Sequence, residues 1–259
     1  VDSAATDVAG LLRLDGRVAI VTGASGGLGE RFARVLHAAG ATVVGAARRA
    51  DRLDDVAADL ERFTPVACDV ADDGAVTTLV QSVLDAHGHI DVLVNNAGIG
   101  DATEKAEAED PALFRRVVEV NLNATFVLSQ QVAVPMIAQG RGSIVNISSV
   151  HGLVAAAPNS QAAYVASKTA VVGLTRELAC QWATSGVRVN AIAPGYFASE
   201  MTDAMFADER SMRWIERNTP MRRPGRADEL DGALLFLAGD ASTYVTGQVL
   251  AVDGGFTAR

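Results

Sequence analysis

Short runs of apolar, mostly β-branched residues alternate along the chain with longer stretches in which apolar positions recur at helical spacing. The runs fall at 17–22, 42–46, 64–68, 91–94, 143–147, 188–192 and 249–252. Several, Val18-Ala19-Ile20-Val21 among them, are apolar at every position, as required of strands covered by helices on both faces. The amphipathic stretches lie near 27–39, 51–62, 72–87, 110–139, 161–184 and 227–239. Such alternation predicts right-handed βαβ units and an α/β fold built on a doubly wound parallel sheet. The segment 197–226 breaks the rhythm, with Met201, Met205, Phe206, Met212 and Trp214 between Pro194-Gly195 and Pro224-Gly225. It reads as a helical insertion in a single domain spanning 1–259, either a lid over the substrate or a surface packed on a neighbouring subunit.

Composition narrows the classes of function. At 259 residues, 49% of them hydrophobic, the chain can bury a core without disulfide or metal staples. Cys68 and Cys180 are too few for either, and their apolar surroundings predict two buried thiols in a reducing compartment. A net charge of −9 argues against nucleic acid as a partner. Arg213, Arg217, Arg222, Arg223 and Arg226 form a local basic region, expected to pair with nearby acids unless it meets an anionic substrate carrier. Residues 1–16 carry Asp2, Asp7, Arg13 and Asp15 rather than a leader's apolar run, and no stretch approaches the length of a membrane span. A soluble, cytoplasmic protein is expected.

Two motifs carry chemistry. Thr22-Gly23-Ala24-Ser25-Gly26-Gly27-Leu28-Gly29 follows the first strand and opens the first helix. Glycines there permit a tight turn and close approach of a pyrophosphate, while the helix N-terminus supplies amide donors, so a dinucleotide is expected. The second strand ends Ala46-Ala47-Arg48-Arg49, with alanine where an NAD-preferring site places an acid. An arginine there can hold a 2′-phosphate, which favours NADP over NAD, although the pair also reads as solvated arginines near Asp51.

The second motif is Tyr164-Val165-Ala166-Ser167-Lys168, with Tyr164 and Lys168 on one helix face. A neighbouring ammonium favours the phenolate and tunes tyrosine towards proton transfer near neutral pH. Ser149, beyond the strand that ends Asn146-Ile147-Ser148, is placed to donate to a substrate oxygen, with Ser148 as the rival. Asn121 lies in an otherwise apolar helical stretch, where its amide must find partners. His151, in the loop between Ser149 and Tyr164, reads as a surface or substrate-lining residue rather than an acid–base group.

With these motifs the chain resembles the short-chain dehydrogenase/reductase family, in its 3-oxoacyl-reductase-like subgroup. The resemblance also covers Asp69-Val70, Asn95-Asn96-Ala97-Gly98, Pro194-Gly195 and Val252-Asp253-Gly254-Gly255. It implies a Rossmann-type sheet of seven parallel strands with helices on both faces. Tyr164 would act as general acid in reduction and base in oxidation, Lys168 would bond the nicotinamide ribose, and Ser149 would orient the carbonyl. Asn121 would hold a water linking Lys168 to solvent. Gly23, Ser25, Gly27, Leu28, Gly29, Ala97 and Gly98 would contact the cofactor, with Arg48 at the adenosine ribose and Asp69 and Val70 at the adenine. Asn95 would face the neighbouring ribose, unless it only ties strands together, as Asp69 would only cap a helix. Pro194, Gly195, Phe197 and Ser199 would line the nicotinamide.

The implied reaction interconverts a carbonyl and a secondary alcohol with NADP or NAD. The substrate would be a 3-oxoacyl thioester or a sugar, steroid, alicyclic or xenobiotic carbonyl. A non-catalytic dinucleotide sensor is the reading from another class, against which the four residues Asn121, Ser149, Tyr164 and Lys168 stand. The long loop between Ser149 and Tyr164, apolar over 153–158, would border the substrate. The helices at 110–139 and 161–184, with a contribution from the C-terminal segment, would build a homotetramer.

Overall fold

The computed structural model describes residues 10–100, 104–156 and 159–258. Seven strands form one sheet: β1 (Val18–Thr22), β2 (Thr42–Ala47), β3 (Phe63–Ala67), β4 (Val92–Asn95), β5 (Gly142–Ile147), β6 (Val187–Pro194) and β7 (Val249–Val252). Every pairing is parallel, in the order β3-β2-β1-β4-β5-β6-β7. This is the doubly wound arrangement, with its switch of direction between β1 and β4.

Period-two alternation explains the two layers of core. From β1, Ala19 and Val21 pack with Phe32 and Leu36 of α1 (Gly27–Ala38), Leu53 of α2 (Ala50–Asp59) and Leu234 and Leu237 of α9 (Asp231–Ala238). Val18 and Ile20 point the other way. They meet Leu79 and Val83 of α3 (Asp73–His87), Leu128 and Met136 of α5 (Ala124–Gln139), and Leu178 of α6 (Ala162–Trp182). Local chemistry sets several ends. Asp72 caps α3 by accepting from the Gly74 and Ala75 amides at 2.8 and 3.1 Å, and Gly88 closes it in the left-handed region. Pro65 lies in β3, an edge strand, which tolerates its missing donor.

The expected 110–139 helix is interrupted. It runs as α4 (Pro111–Val118), a π-helical turn over Glu119–Asn123 and then α5. The inserted residue leaves apolar spacing almost unchanged, so periodicity alone does not register it. The insertion at 197–226 contains α7 (Asp203–Ala207) and α8 (Glu209–Asn218). Its base is pinned by a parallel bridge between Phe197 and Gly225, reinforced by a 2.9 Å bond from the Gly225 amide to the Tyr196 carbonyl. Three of the five arginines of the basic region pair as expected, Arg213 with Glu209, Arg223 with Glu229 and Arg226 with Asp228, whereas Arg217 and Arg222 form no ion pair with another described residue.

Two burial expectations are corrected. Cys68 is buried, and its thiol is pushed up to about 11, first by desolvation; Cys180 is exposed, because it turns outward just after buried Leu178 and Ala179 on α6. His151 is not at the surface. It is 7% exposed, with Nε2 3.2 Å from the Tyr196 hydroxyl and its ring edge-on to Tyr196 and Phe256. Among the described residues no helix is long and apolar enough to cross a membrane. Of the apolar loop at 153–158, Ala157 and Pro158 lie outside the described residues, as do residues 1–9.

Candidate active site

At the carboxyl ends of the central strands lies a cleft of about 490 Å³. Its position follows from topology: the chains leaving β1 and β4 turn in opposite directions and leave a crevice between them. Gly23, Ser25, Gly27, Leu28 and Gly29 line it where β1 passes into α1. At Gly29 a Cβ would lie 2.2 Å from the Gly23 carbonyl oxygen and 2.5 Å from Asn96 Nδ2, so only glycine lets the helix start against the turn. Gly26, the residue before α1, supplies no side-chain cap. The amides of the first turn and the positive end of the helix are therefore left for an anion, which is the cradle a dinucleotide pyrophosphate needs.

Towards β2 and β3 the lining is Arg48, Asp69 and Val70. The two arginines have separate fates. Arg48 is exposed and forms no ion pair with another described residue, whereas Arg49 binds Ser25 Oγ through Nε at 3.2 Å and Glu200 through Nη1 at 2.9 Å. The acid paired with Arg49 is thus Glu200 from the insertion, not Asp51. Asp69 accepts from the Ala71 amide at 3.1 Å and faces Arg116 at 3.5 Å, while the cap of α3 is Asp72.

Ala97 and Gly98 line the middle of the cleft, but the expectation for Asn95 is corrected. As the last residue of β4 it turns into the helix-covered layer, where its amide donates to Ser129 Oγ and Asn146 Oδ1, both at 2.9 Å. Its neighbour Asn96 faces the cleft and donates to the Thr22 carbonyl at 2.9 Å.

On the β5 side the cleft meets Ser149, Tyr164 and Lys168. Lys168 is 5% exposed; its ammonium donates to the Ile147 carbonyl at 2.8 Å and stands 5.7 Å from the centre of the Tyr164 ring. Burial pushes that ammonium down to about 8. The serine pair is separated by its bonding. Ser148 donates its hydroxyl to the Lys168 carbonyl at 2.9 Å, whereas Ser149 Oγ accepts from the His151 amide at 3.1 Å and keeps its own proton to donate.

Asn121 lies in the π turn, 1% exposed and behind the cleft lining. Its Oδ1 accepts from the Ile99 amide at 2.8 Å, and its Nδ2 donates to the Ile99 carbonyl at 2.9 Å and Ser167 Oγ at 3.1 Å. Both Asn121 Oδ1 and Lys168 Nζ flank Gly98. Pro194, Gly195, Phe197 and Ser199 close the remaining side, joined by Glu200, Met201 and Thr202. The Thr202 hydroxyl donates to the Phe197 carbonyl at 2.8 Å and accepts from the Ser199 amide at 2.9 Å. Sequence reasoning passed over Arg116, Glu200 and Thr202. Glu200 and Thr202 carry a local signal, since they closely follow Ser199 in the stretch after Pro194-Gly195, but Arg116 reaches the cleft only through tertiary folding.

A Rossmann-type sheet whose switch point joins a glycine turn to a serine, tyrosine and lysine defines a class: dinucleotide-dependent oxidoreductases of carbonyls and alcohols. Comparison with known proteins agrees. Residues 23–257 match a family model described as enoyl-(acyl carrier protein) reductase. Galactitol 2-dehydrogenase (L-tagatose-forming) of Cereibacter sphaeroides is 42% identical over 95% of this chain and 97% of that protein. The 3-oxoacyl-[acyl-carrier-protein] reductase of Thermotoga maritima is 37% identical over 94% and 99%. A gluconate 5-dehydrogenase from Burkholderia cenocepacia, crystallised with NADP and tartrate, superposes with a TM-score of 0.92 at 38% identity, covering 96% of this chain and 98% of that one. The chain belongs to the short-chain dehydrogenase/reductase family and is an oxidoreductase acting on CH–OH groups.

Proposed function

We propose that the chain interconverts a ketone and a secondary alcohol of a small polyhydroxylated or alicyclic substrate, using NADP(H) in preference to NAD(H). The observation that carries the reading is the meeting of Ser149, Tyr164 and buried Lys168 in the cleft that begins at the glycine turn. When bound, the nicotinamide supplies or accepts the hydride at the carbonyl carbon. In the reducing direction Tyr164 gives its phenolic proton to the substrate oxygen, and in oxidation the phenolate removes the hydroxyl proton. The Lys168 ammonium, held by the Ile147 carbonyl, favours the phenolate, and Ser149 donates to the same substrate oxygen. Asn121 acts through position: by clamping Ile99 it holds the segment after β4 beside Lys168.

The cofactor residues are the glycine turn with Ser25 and Leu28, Arg48 at the adenosine ribose, Asp69 and Val70 at the adenine, and Ala97 and Gly98 between them. Pro194, Gly195, Phe197 and Ser199 flank the nicotinamide. Substituting Arg48→Asp is expected to weaken NADPH by about 30-fold and NADH only slightly, since it replaces a charge-assisted phosphate bond by repulsion. Equal weakening of both in a fluorescence titration would place Arg48 away from the 2′ position.

The deciding experiment follows NADPH and NADH oxidation, and the reverse, on a panel of polyols and sugar-acid ketones, an alicyclic ketone and an acetoacetyl thioester. Turnover of a sugar-derived or alicyclic member, greater with NADP(H), is expected. Turnover of the thioester alone would return the substrate to the 3-oxoacyl class of the Thermotoga relative.

We also infer one domain over 1–259, with 197–226 covering the substrate, and assembly as a homotetramer. Phe126, Val134 and Ile137 stand exposed on α5, and Leu250 on the edge strand β7, surfaces suited to further copies of the chain. Light scattering after size exclusion tests this; a monomer at micromolar concentration would reject it.

A further inference from the structure

The end of β2 presents a puzzle that the remainder of the cleft resolves. Position 47, where an acid would bond the ribose 2′-hydroxyl of NAD, is alanine, and two arginines follow. An acid is nevertheless present at that end, supplied from the opposite wall. Glu200 Oε2 lies 2.9 Å from Arg49 Nη1, and its Oε1 lies 3.4 Å from Arg52 Nη2. The carboxylate rests against the glycine turn: a Cβ built on Gly26 would be 3.0 Å from Glu200 Oε1 and 3.2 Å from Arg49 Nη2. All three side chains are about half exposed, so the ion pairs add little to folding stability. Hydrogen bonds from Arg49 and Arg52 hold the Glu200 carboxyl below the ordinary range, so it is charged at neutral pH.

We propose that Glu200 is a specificity-determining residue that sets the balance between NADP(H) and NAD(H) by occupying the arginine site which a 2′-phosphate would take. This rests on the dehydrogenase reading above. A phosphate brings more charge and more acceptor oxygens than a carboxylate; held by Arg48, it gains Arg49 as a second partner only by displacing the carboxylate from it. A 2′-hydroxyl makes no such demand, and it finds in the Glu200 carboxylate the acceptor that Ala47 does not provide. The carboxylate therefore handicaps one cofactor and not the other. Glu200 also lies within the insertion, only three residues before α7.

The test is direct titration of NADPH and NADH, by protein fluorescence, into the wild-type chain and into Glu200→Gln and Glu200→Lys, alongside thermal melts. The ratio of the NADH to the NADPH dissociation constant is expected to rise at least about fivefold in Glu200→Gln and further in Glu200→Lys, following charge rather than size. A smaller rise, or a shift towards NADH, overturns the proposal and leaves Glu200 a strut for the loop. If the wild-type chain binds neither nucleotide, the dehydrogenase reading fails and the proposal with it. If it binds both and the ratio does not move, the proposal fails alone. Melting temperatures within a few degrees of wild type are expected, since Glu200 is exposed and its pairs are weak.

Discussion

Replacing Tyr164 by Phe is expected to lower turnover by about a thousandfold while leaving the dissociation constant for NADPH within a factor of about three. The size of the loss follows from the proposed role of the hydroxyl as proton donor to the substrate oxygen, on a ring whose centre lies 5.7 Å from the buried ammonium of Lys168. The ring is retained in the variant, so the packing at the start of α6 is kept. Stopped-flow turnover and a cofactor titration on the same preparation check both halves. Turnover within tenfold of wild type would remove Tyr164 from the chemistry, and loss of cofactor binding would show that the ring, not the proton, had been essential.

Lys168→Met should separate activity from stability in the opposite sense. Turnover is expected to fall by about a hundredfold or more, because the phenolate of Tyr164 loses its cation. The fold should gain stability at neutral pH, since a buried charge whose ammonium is pushed down to about 8 is replaced by an apolar side chain of similar length. The sign with pH follows from linkage. Lysine in the unfolded chain keeps its proton to about pH 10.4. Below pH 8 both states of the wild type are protonated, and the folded state bears the full cost of the buried charge, about 3 kcal/mol. Between pH 8 and about 10.4 the folded state sheds the proton first, and the penalty fades. Urea melts of the two proteins should therefore differ most at pH 7 and converge as pH approaches 10. A constant difference across that range would assign the effect to packing.

What the sequence discloses and what it conceals divide along physical lines. β1 is legible because Val18–Thr22 is apolar throughout and is buried at every position. The convergence of Tyr164 and Lys168 is legible because one helical turn puts both on the same side. Which of Asn95 and Asn96 meets the cleft is not legible, because the side chains of adjacent residues at a strand end leave on opposite faces and the position of that end decides the matter. The π turn at Asn121 is hidden because one extra residue scarcely changes apolar spacing. The burial of His151 depends on Tyr196 and Phe256, which are remote in sequence, and the partner of Arg49 is 151 residues away. Contacts of that separation leave no periodic trace.

The bridge between Phe197 and Gly225 has an evolutionary meaning. Because the two residues are paired, everything between them enters and leaves the fold through one doorway of fixed width. Gly225 keeps the doorway narrow, since a Cβ there would fall 2.3 Å from the Phe197 ring. A cassette framed in this way can be lengthened, shortened or rewritten without changing the span its ends must close, and chain entropy charges little for added length. The glycine turn is encoded outside the cassette, and from the cassette Glu200 rests against it, beside Gly26. Descendants of one ancestor can thus exchange this stretch while Ser149, Tyr164 and Lys168, which lie outside it, are inherited unchanged.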